Sequence, residues 1–370
     1  MRSLRDLLAE GLSAQPRPWY PGAVALILRD GRVLHHAAIG DAVRYADRAG
    51  TLLPDVDREP VRPDTVFDLA SLTKLFTTTV VLTLVDQGTL SLDQPLAEWL
   101  PSYRDGHRRA VTLRHLLTHT SGLPALLSLW TDWPDRDARA DAVREAPLVH
   151  PPGSVFEYSC VGYILAGLLV EQVTGRSLPD LVRERVCEPL GLRDTGYLPG
   201  PELVARCAAT EHQPDTGRGM VRGSVHDENS WSLGGVAGNA GVFGTAADVA
   251  RFGEMLRRRG TLDGVRVLRE DTVAEMTRDQ LPPDLDPGYR HGLGVRVADP
   301  QFMGPLAAHG AFGHTGFTGT CLVVDPVRGL VVVLLTNRVH PSRDWSDLAP
   351  VRRRVAEFAV QAADAAAHRS

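Results

Sequence analysis

Ser71 and Lys74 stand three residues apart at the head of an apolar run, Phe67-Asp-Leu-Ala-Ser-Leu-Thr-Lys-Leu-Phe76. If that run is helical, the two side chains share a face, and an amine that has lost its proton can activate the hydroxyl as a nucleophile. Of the 40 lysines and arginines in the chain, Lys74 is the one lysine. A guanidinium stays protonated in proteins and cannot accept a proton in a reaction, whereas a buried amine can. A chain that uses arginine for every other cation has kept lysine where only lysine serves. Burial beside Leu75 and Phe76 is expected to bring this amine down from about 10.4 toward neutrality.

The elements that must position the pair are legible in outline. Residues 72–87 are apolar on nearly every side, which predicts a buried helix closed by Gly88. Ahead of it, Leu4, Leu7, Leu8 and Leu12 mark an amphipathic helix within residues 1–15. Residues 22–28 and 32–39 are strand-like runs joined by Arg29-Asp-Gly31, a hairpin signal, and residues 41–63 read as a loop. Residues 90–215 carry helical signals broken by Pro and Gly, at 95–100, 113–117, 161–173 and 178–186, without strand-like alternation. Residues 233–244 form a Gly-rich loop, after which Thr245 caps a helix to about Arg259. Strand-like runs return at 293–297, 319–324 and 330–337, and a final helix near 347–366 carries Leu348, Val351, Val355 and Phe358 on one stripe. This order predicts an α+β fold. One antiparallel sheet, built from both chain ends and flanked by helices, spans 1–90 and 235–370, and a mainly helical inserted domain spans 91–234.

Composition narrows the function. With 370 residues, 43% hydrophobic and 23% charged, there is ample material for a core. A net charge of -5 and a pI near 6.2, without a long basic patch, argue against a nucleic-acid partner. The Gly-rich loop lacks a G-x-G-x-x-G following a strand, so no dinucleotide cofactor is expected. The first twenty residues have no apolar core of signal-peptide type, and no later run approaches the length of a membrane span, so the expectation is a cytoplasmic protein without a membrane partner. Cys160, Cys187, Cys207 and Cys321 are irregularly spaced without C-x-x-C and read as free thiols.

Two further motifs stand with Ser71-Leu-Thr-Lys74, namely Tyr158-Ser-Cys160 and His314-Thr-Gly316. In this order and separation they resemble the serine β-lactamase and penicillin-binding-protein superfamily, specifically the branch of class C β-lactamases with their esterase and peptidase relatives. Supporting stretches are Leu113-Arg-His-Leu-Leu-Thr-His-Thr-Ser-Gly-Leu-Pro124 and Glu188-Pro-Leu-Gly-Leu192. The resemblance implies an α/β domain and a helical domain with the site in the cleft between them. It implies Ser71 as nucleophile, Lys74 and Tyr158 sharing the base role, and the backbone N–H groups of Ser71 and Phe317 as oxyanion donors. His314, Thr315, Gly316 and Cys160 would contact a small acyl substrate, an ester, amide or peptide-like compound, and neither metal nor cofactor is implied.

The departures from that pattern carry information of their own. Cys160 stands where β-lactamases hold the substrate amide with asparagine, and a thiol is a weak donor. His314 replaces a permanent cation, and Ala125-Leu126 follows Leu123-Pro124 where class C enzymes have an amide side chain. These changes argue against efficient β-lactam hydrolysis. They favour an esterase or amidase, or a transacylase with a non-water acceptor. A D-amino acid peptidase of the D,D-carboxypeptidase type or weak β-lactamase, and a module that binds β-lactams or peptidoglycan fragments without turnover, are the alternatives.

Overall fold

In a computed structural model of the chain, which describes residues 3–367, the two ends of the sequence meet in the middle of one sheet. Gly22–Arg29 pairs antiparallel with Leu330–Thr336, Ala23 opposite Thr336 and Arg29 opposite Leu330. Beyond Gly22–Arg29 the sheet continues through Arg32–Val43 and Glu59–Pro60. Beyond Leu330–Thr336 it continues through Cys321–Asp325, Phe312–Thr315, Arg296–Val297 and Arg290–His291, making eight strands, each antiparallel to its neighbours. The hairpin expected at Arg29-Asp-Gly31 forms, with Asp30 and Gly31 both at positive φ.

Strand alternation sorts the core into two layers. Ala23, Ala25, Ile27, Val332 and Leu334 pack on one face with the helices Leu4–Leu12 and Ala349–Ala367, whose expected stripe of Leu348, Val351, Val355 and Phe358 is buried. Val24, Leu26, Leu28, Val331 and Val333 face the other way, toward the helix Ala246–Arg257. That helix comes so close that a Cβ on Gly253 would lie 2.8 Å from Val331 Cγ1. Phe252 stacks on Phe76 with ring centroids 4.5 Å apart, which fixes the helix Thr73–Asp86 over the sheet. Every residue from Thr73 to Leu84 is buried there. Its threonines remain satisfied: Thr79 and Thr83 bond back to their own helix, Thr77 donates to Gly238 O, and Thr78 pairs with Tyr163.

Two local expectations differ from the structure. The run 293–297 yields only Arg296–Val297, because Gly294 takes φ +72° and its N–H turns to Leu117 O at 3.0 Å. Within the stretch expected to lack strands, Gly196–Tyr197 pairs with Val242–Gly244, and Ala209–Gln213 forms a hairpin with Gly219–Arg222 beyond it. Apolar alternation is missing there because Glu211 is buried, held by a hydrogen bond with His226 and an ion pair with Arg343. Among the described residues no helix is long and apolar enough to cross a membrane.

The end of the central strand is locked by polar side chains. Asn337 accepts Gly22 N–H and donates to the carbonyls of Asp41 and Ala42. His340 Nε2 accepts the N–H groups of Arg44 and Tyr45 at 2.9 and 3.1 Å, while Nδ1 donates to Thr210 O at 3.0 Å. Burial lowers His340 from 6.5 to about 4. The folded state therefore prefers the neutral ring, a contribution complete above about pH 6.5 and lost as pH falls toward 4, of order 3 kcal/mol at most. The stability gap between wild type and His340→Ala in urea unfolding is expected to be widest at pH 7.5 and to shrink by pH 4.5. A gap independent of pH would show that His340 is not held neutral.

Candidate active site

Ser71 lies in a single 3-10 turn, Ala70–Leu72, that runs into the helix Thr73–Asp86. The turn is entered through Ala70 at φ +47°, a left-handed conformation that costs a residue with a side chain on the order of 1 kcal/mol. Asp68 holds it in place, Oδ1 accepting Ala70 N–H at 2.8 Å and Oδ2 accepting His226 N–H at 2.6 Å. Burial pushes the Asp68 carboxyl up, and those same hydrogen bonds oppose it.

Lys74 is fully buried. Its Nζ is 3.2 Å from Ser71 Oγ, 3.2 Å from Asn239 O and 3.9 Å from Cys160 Sγ. Burial is the largest influence on the amine and favours its neutral form, but Cys160 and Tyr158, with Asp227 behind them, more than offset it. The net shift is upward, which corrects the expectation of a near-neutral lysine: the groups that can carry negative charge are as close as the apolar ones. Burial also pushes the Cys160 thiol up.

Tyr158 arrives on the extended segment before the helix Cys160–Thr174, and Lys74 Nζ is 5.0 Å from its ring centre. His119 grips that segment on both sides of the tyrosine. Its carbonyl accepts Glu157 N–H at 2.9 Å, its Nδ1 accepts Ser159 N–H at 3.0 Å, and its ring lies 4.4 Å from the Tyr158 ring. These partners assign the Nε2–H tautomer, and burial holds the ring well below the usual histidine range.

His314 is placed otherwise than expected. It is 1% exposed, its Nδ1 donates to Thr315 O at 2.7 Å, and it lines neither cleft beside Ser71. Burial keeps it far below the usual histidine range, so it supplies no cation to the site. Its ring stands 6.0 Å from that of Tyr158 and supports it from behind.

Two clefts meet at Ser71 and Tyr158. One, of about 410 Å³, is walled by Ala125, Leu126, Leu127, Trp130 and Cys160, and closed by the loop 226–229. The other, of about 290 Å³, carries Arg296, Arg338 and Arg352 beside Thr315 and Gly316. At their junction the N–H groups of Ser71 and Phe317 have no acceptor among the described residues. Thr318 Oγ1 donates to Asp68 O at 2.7 Å and Thr320 Oγ1 to Leu69 O at 2.9 Å, which ties the Phe317 turn to the backbone leading into Ser71. Gly316 permits this approach, since a Cβ there would lie 1.9 Å from Thr320 Oγ1 and 2.5 Å from Leu69 O.

A serine beside a buried lysine, a tyrosine and two free amides is the arrangement that the motifs imply, and the Beta-lactamase family profile matches residues 5–357. The chain belongs to the Beta-lactamase family. N-acetylmuramyl-L-alanine amidase of Bacillus subtilis (strain 168) is 32% identical over 354 residues, covering 87% of this chain and 78% of the relative. The "Putative D-alanyl-D-alanine carboxypeptidase" of Escherichia coli (strain K12) is 32% identical over 367 residues, covering 89% and 81%. Among solved structures, EstCE1, a hydrolase with promiscuous acyltransferase activity, superposes with a TM-score of 0.73 at 26% identity, covering 95% of this chain and 96% of that one. A penicillin-binding-protein homologue from Caulobacter crescentus gives 0.72 at 26% identity, covering 97% and 96%. As a Beta-lactamase family member the chain is a serine hydrolase that works through an acyl-enzyme.

Several residues of this Beta-lactamase family site carried no readable signal in the sequence. Asp68 and the Asn239 carbonyl make their site contacts across 158 to 250 positions, and the Arg352 side chain reaches Gly316 O across 36, and no spacing rule reports such contacts. His119 lay within a motif, but its partner Ser159 is 40 residues away. Gly316→Ala is expected to force the Phe317 turn away from Leu69, lowering stability by about 1–3 kcal/mol and kcat on p-nitrophenyl butyrate about 10-fold or more. Wild-type turnover in that variant would mean the turn tolerates the shift and the contact is unimportant.

Proposed function

We propose that Ser71 is the nucleophile of a carboxylesterase, or of a transacylase in which an alcohol or amine replaces water. The observation that carries this reading is the 3.2 Å approach of the only lysine to Ser71 Oγ, beside two amides without a partner among the described residues and a largely apolar cleft. Attack of Oγ on an acyl carbonyl would develop negative charge on the carbonyl oxygen. The Ser71 N–H, at the start of a helix, and the Phe317 N–H, in the turn after a strand, would stabilise it. Lys74 and Tyr158 share the base role. As Oγ bonds to the acyl carbon, its proton passes to this Lys74–Tyr158 pair. The same proton then passes to the leaving oxygen as the acyl C–O bond breaks, leaving an ester on Ser71. Water or another acceptor repeats the sequence in reverse.

Ala125, Leu126, Leu127 and Trp130 suit an aliphatic or aromatic acyl chain. Cys160, a weak donor, offers little to a peptide amide, which favours esters. A second reading, a D,D-carboxypeptidase-type peptidase, is favoured by Arg296, Arg338 and Arg352 in the other cleft, where a terminal carboxylate would find cations, and by the Escherichia coli relative.

Intact-mass measurement after exposure to a fluorophosphonate is expected to show one adduct on wild type and none on Ser71→Ala. Turnover of p-nitrophenyl butyrate should fall by about 10³-fold or more in Ser71→Ala and by at least about 10²-fold in Lys74→Arg, which keeps charge but loses the compact amine. Unchanged turnover in Ser71→Ala would place the nucleophile elsewhere. Release of D-alanine from a D-Ala-D-Ala peptide, with no ester turnover, would favour the peptidase.

A further inference from the structure

One of the two free amides beside Ser71 is held from outside the motifs, by the C-terminal helix Ala349–Ala367. Arg352 Nη2 donates to Gly316 O at 3.0 Å and to Thr320 O at 3.2 Å. Gly316 O also accepts Gly319 N–H at 3.1 Å. In a trans peptide the C=O and the following N–H point in opposite directions. A grip on Gly316 O from the helix side therefore turns the Phe317 N–H away from that helix and leaves it free. The next peptide plane is fixed as well, because Arg338 Nε donates to Phe317 O at 2.8 Å.

Arg352 has few other commitments. It makes no ion pair among the described residues, and its Nε is buried without a partner. A guanidinium remains charged even when burial lowers its pKa, as it does here. A full positive charge donated to a carbonyl polarises that peptide group and makes its N–H a stronger donor.

We propose that Arg352 is a positioning residue for acyl transfer, holding and polarising the Gly316–Phe317 peptide so that the Phe317 N–H meets the oxyanion. The proposal rests on the reading of Ser71 as nucleophile. It differs from a grip on a substrate carboxylate, because it makes Arg352 matter for substrates that carry no charge.

The test is Arg352→Met on the full chain, with kcat and KM for the uncharged ester p-nitrophenyl butyrate, the folded fraction from thermal melts, and inhibition by butylboronic acid, which forms an anionic tetrahedral adduct on serine. Removing an oxyanion donor outright costs about 10²–10³ in kcat, so a misaimed one is expected to cost about 10-fold or more per folded molecule. KM should stay within about twofold and boronate affinity should fall in parallel with kcat. Wild-type kcat per folded molecule with a lower melting temperature would overturn the proposal and leave a structural role. Loss confined to KM for a D-Ala-D-Ala peptide would overturn it in favour of a carboxylate grip. If Arg352→Met does not fold, Arg352→Lys is measured and read the same way. Turnover persisting in Ser71→Ala would fault the nucleophile instead, independently of the Arg352 ratio.

Discussion

A positive charge is buried at Lys74, and its close partners are a hydroxyl, a carbonyl and a thiol. Taking an ammonium out of water costs several kcal/mol unless its surroundings answer it, and the site can be understood as that answer. Asn239 offers a carbonyl, the faces of Tyr158 and Tyr163 lie 5.0 and 5.5 Å away, and Asp227 adds negative potential from the cleft wall. The same ammonium donates to Ser71 Oγ at 3.2 Å, which orients that oxygen. The buried helix that carries this charge keeps water from screening it.

Positioning of the Ser71 and Phe317 N–H groups is a separate constraint, met by backbone tension and not by packing alone. The Ser71 turn begins with a strained alanine, and the carboxylate that holds this alanine also fixes the loop at His226. The Phe317 turn is tied to the same stretch by two threonine hydroxyls. Both turns are thus referred to residues 68–69. A shift in the sheet that moved one would move the other with it.

Charge is divided between residue types in a consistent way. His119 and His314 flank Tyr158 as neutral rings, and His291, lowered by burial to about 3, packs on His119. Permanent positive charge in the second cleft comes from arginines. The cleft opposite is mainly apolar, with Ser128, the loop 226–229 and Arg343 as its polar wall beyond Ser71 and Tyr158, so the two arms beside Ser71 present different chemistry to the two halves of a substrate.

By itself the sequence determined whatever depends on short spacing. Ser71 and Lys74 share a face because they are three apart, the hairpin at Asp30 follows from its turn residues, and the sheet layers follow from alternation along each strand. The three ordered motifs identified the family, and the terminal strands foretold a sheet closed from both ends. Only the tertiary structure decided the rest. Whether Lys74 is charged depends on Cys160 and Tyr158, more than eighty residues away. His314, read as a substrate contact, turned inward because its Nδ1 bonds to the next carbonyl and its ring is buried beside Tyr158. Burial and long-range hydrogen bonds set protonation and orientation, and neither is a function of local spacing.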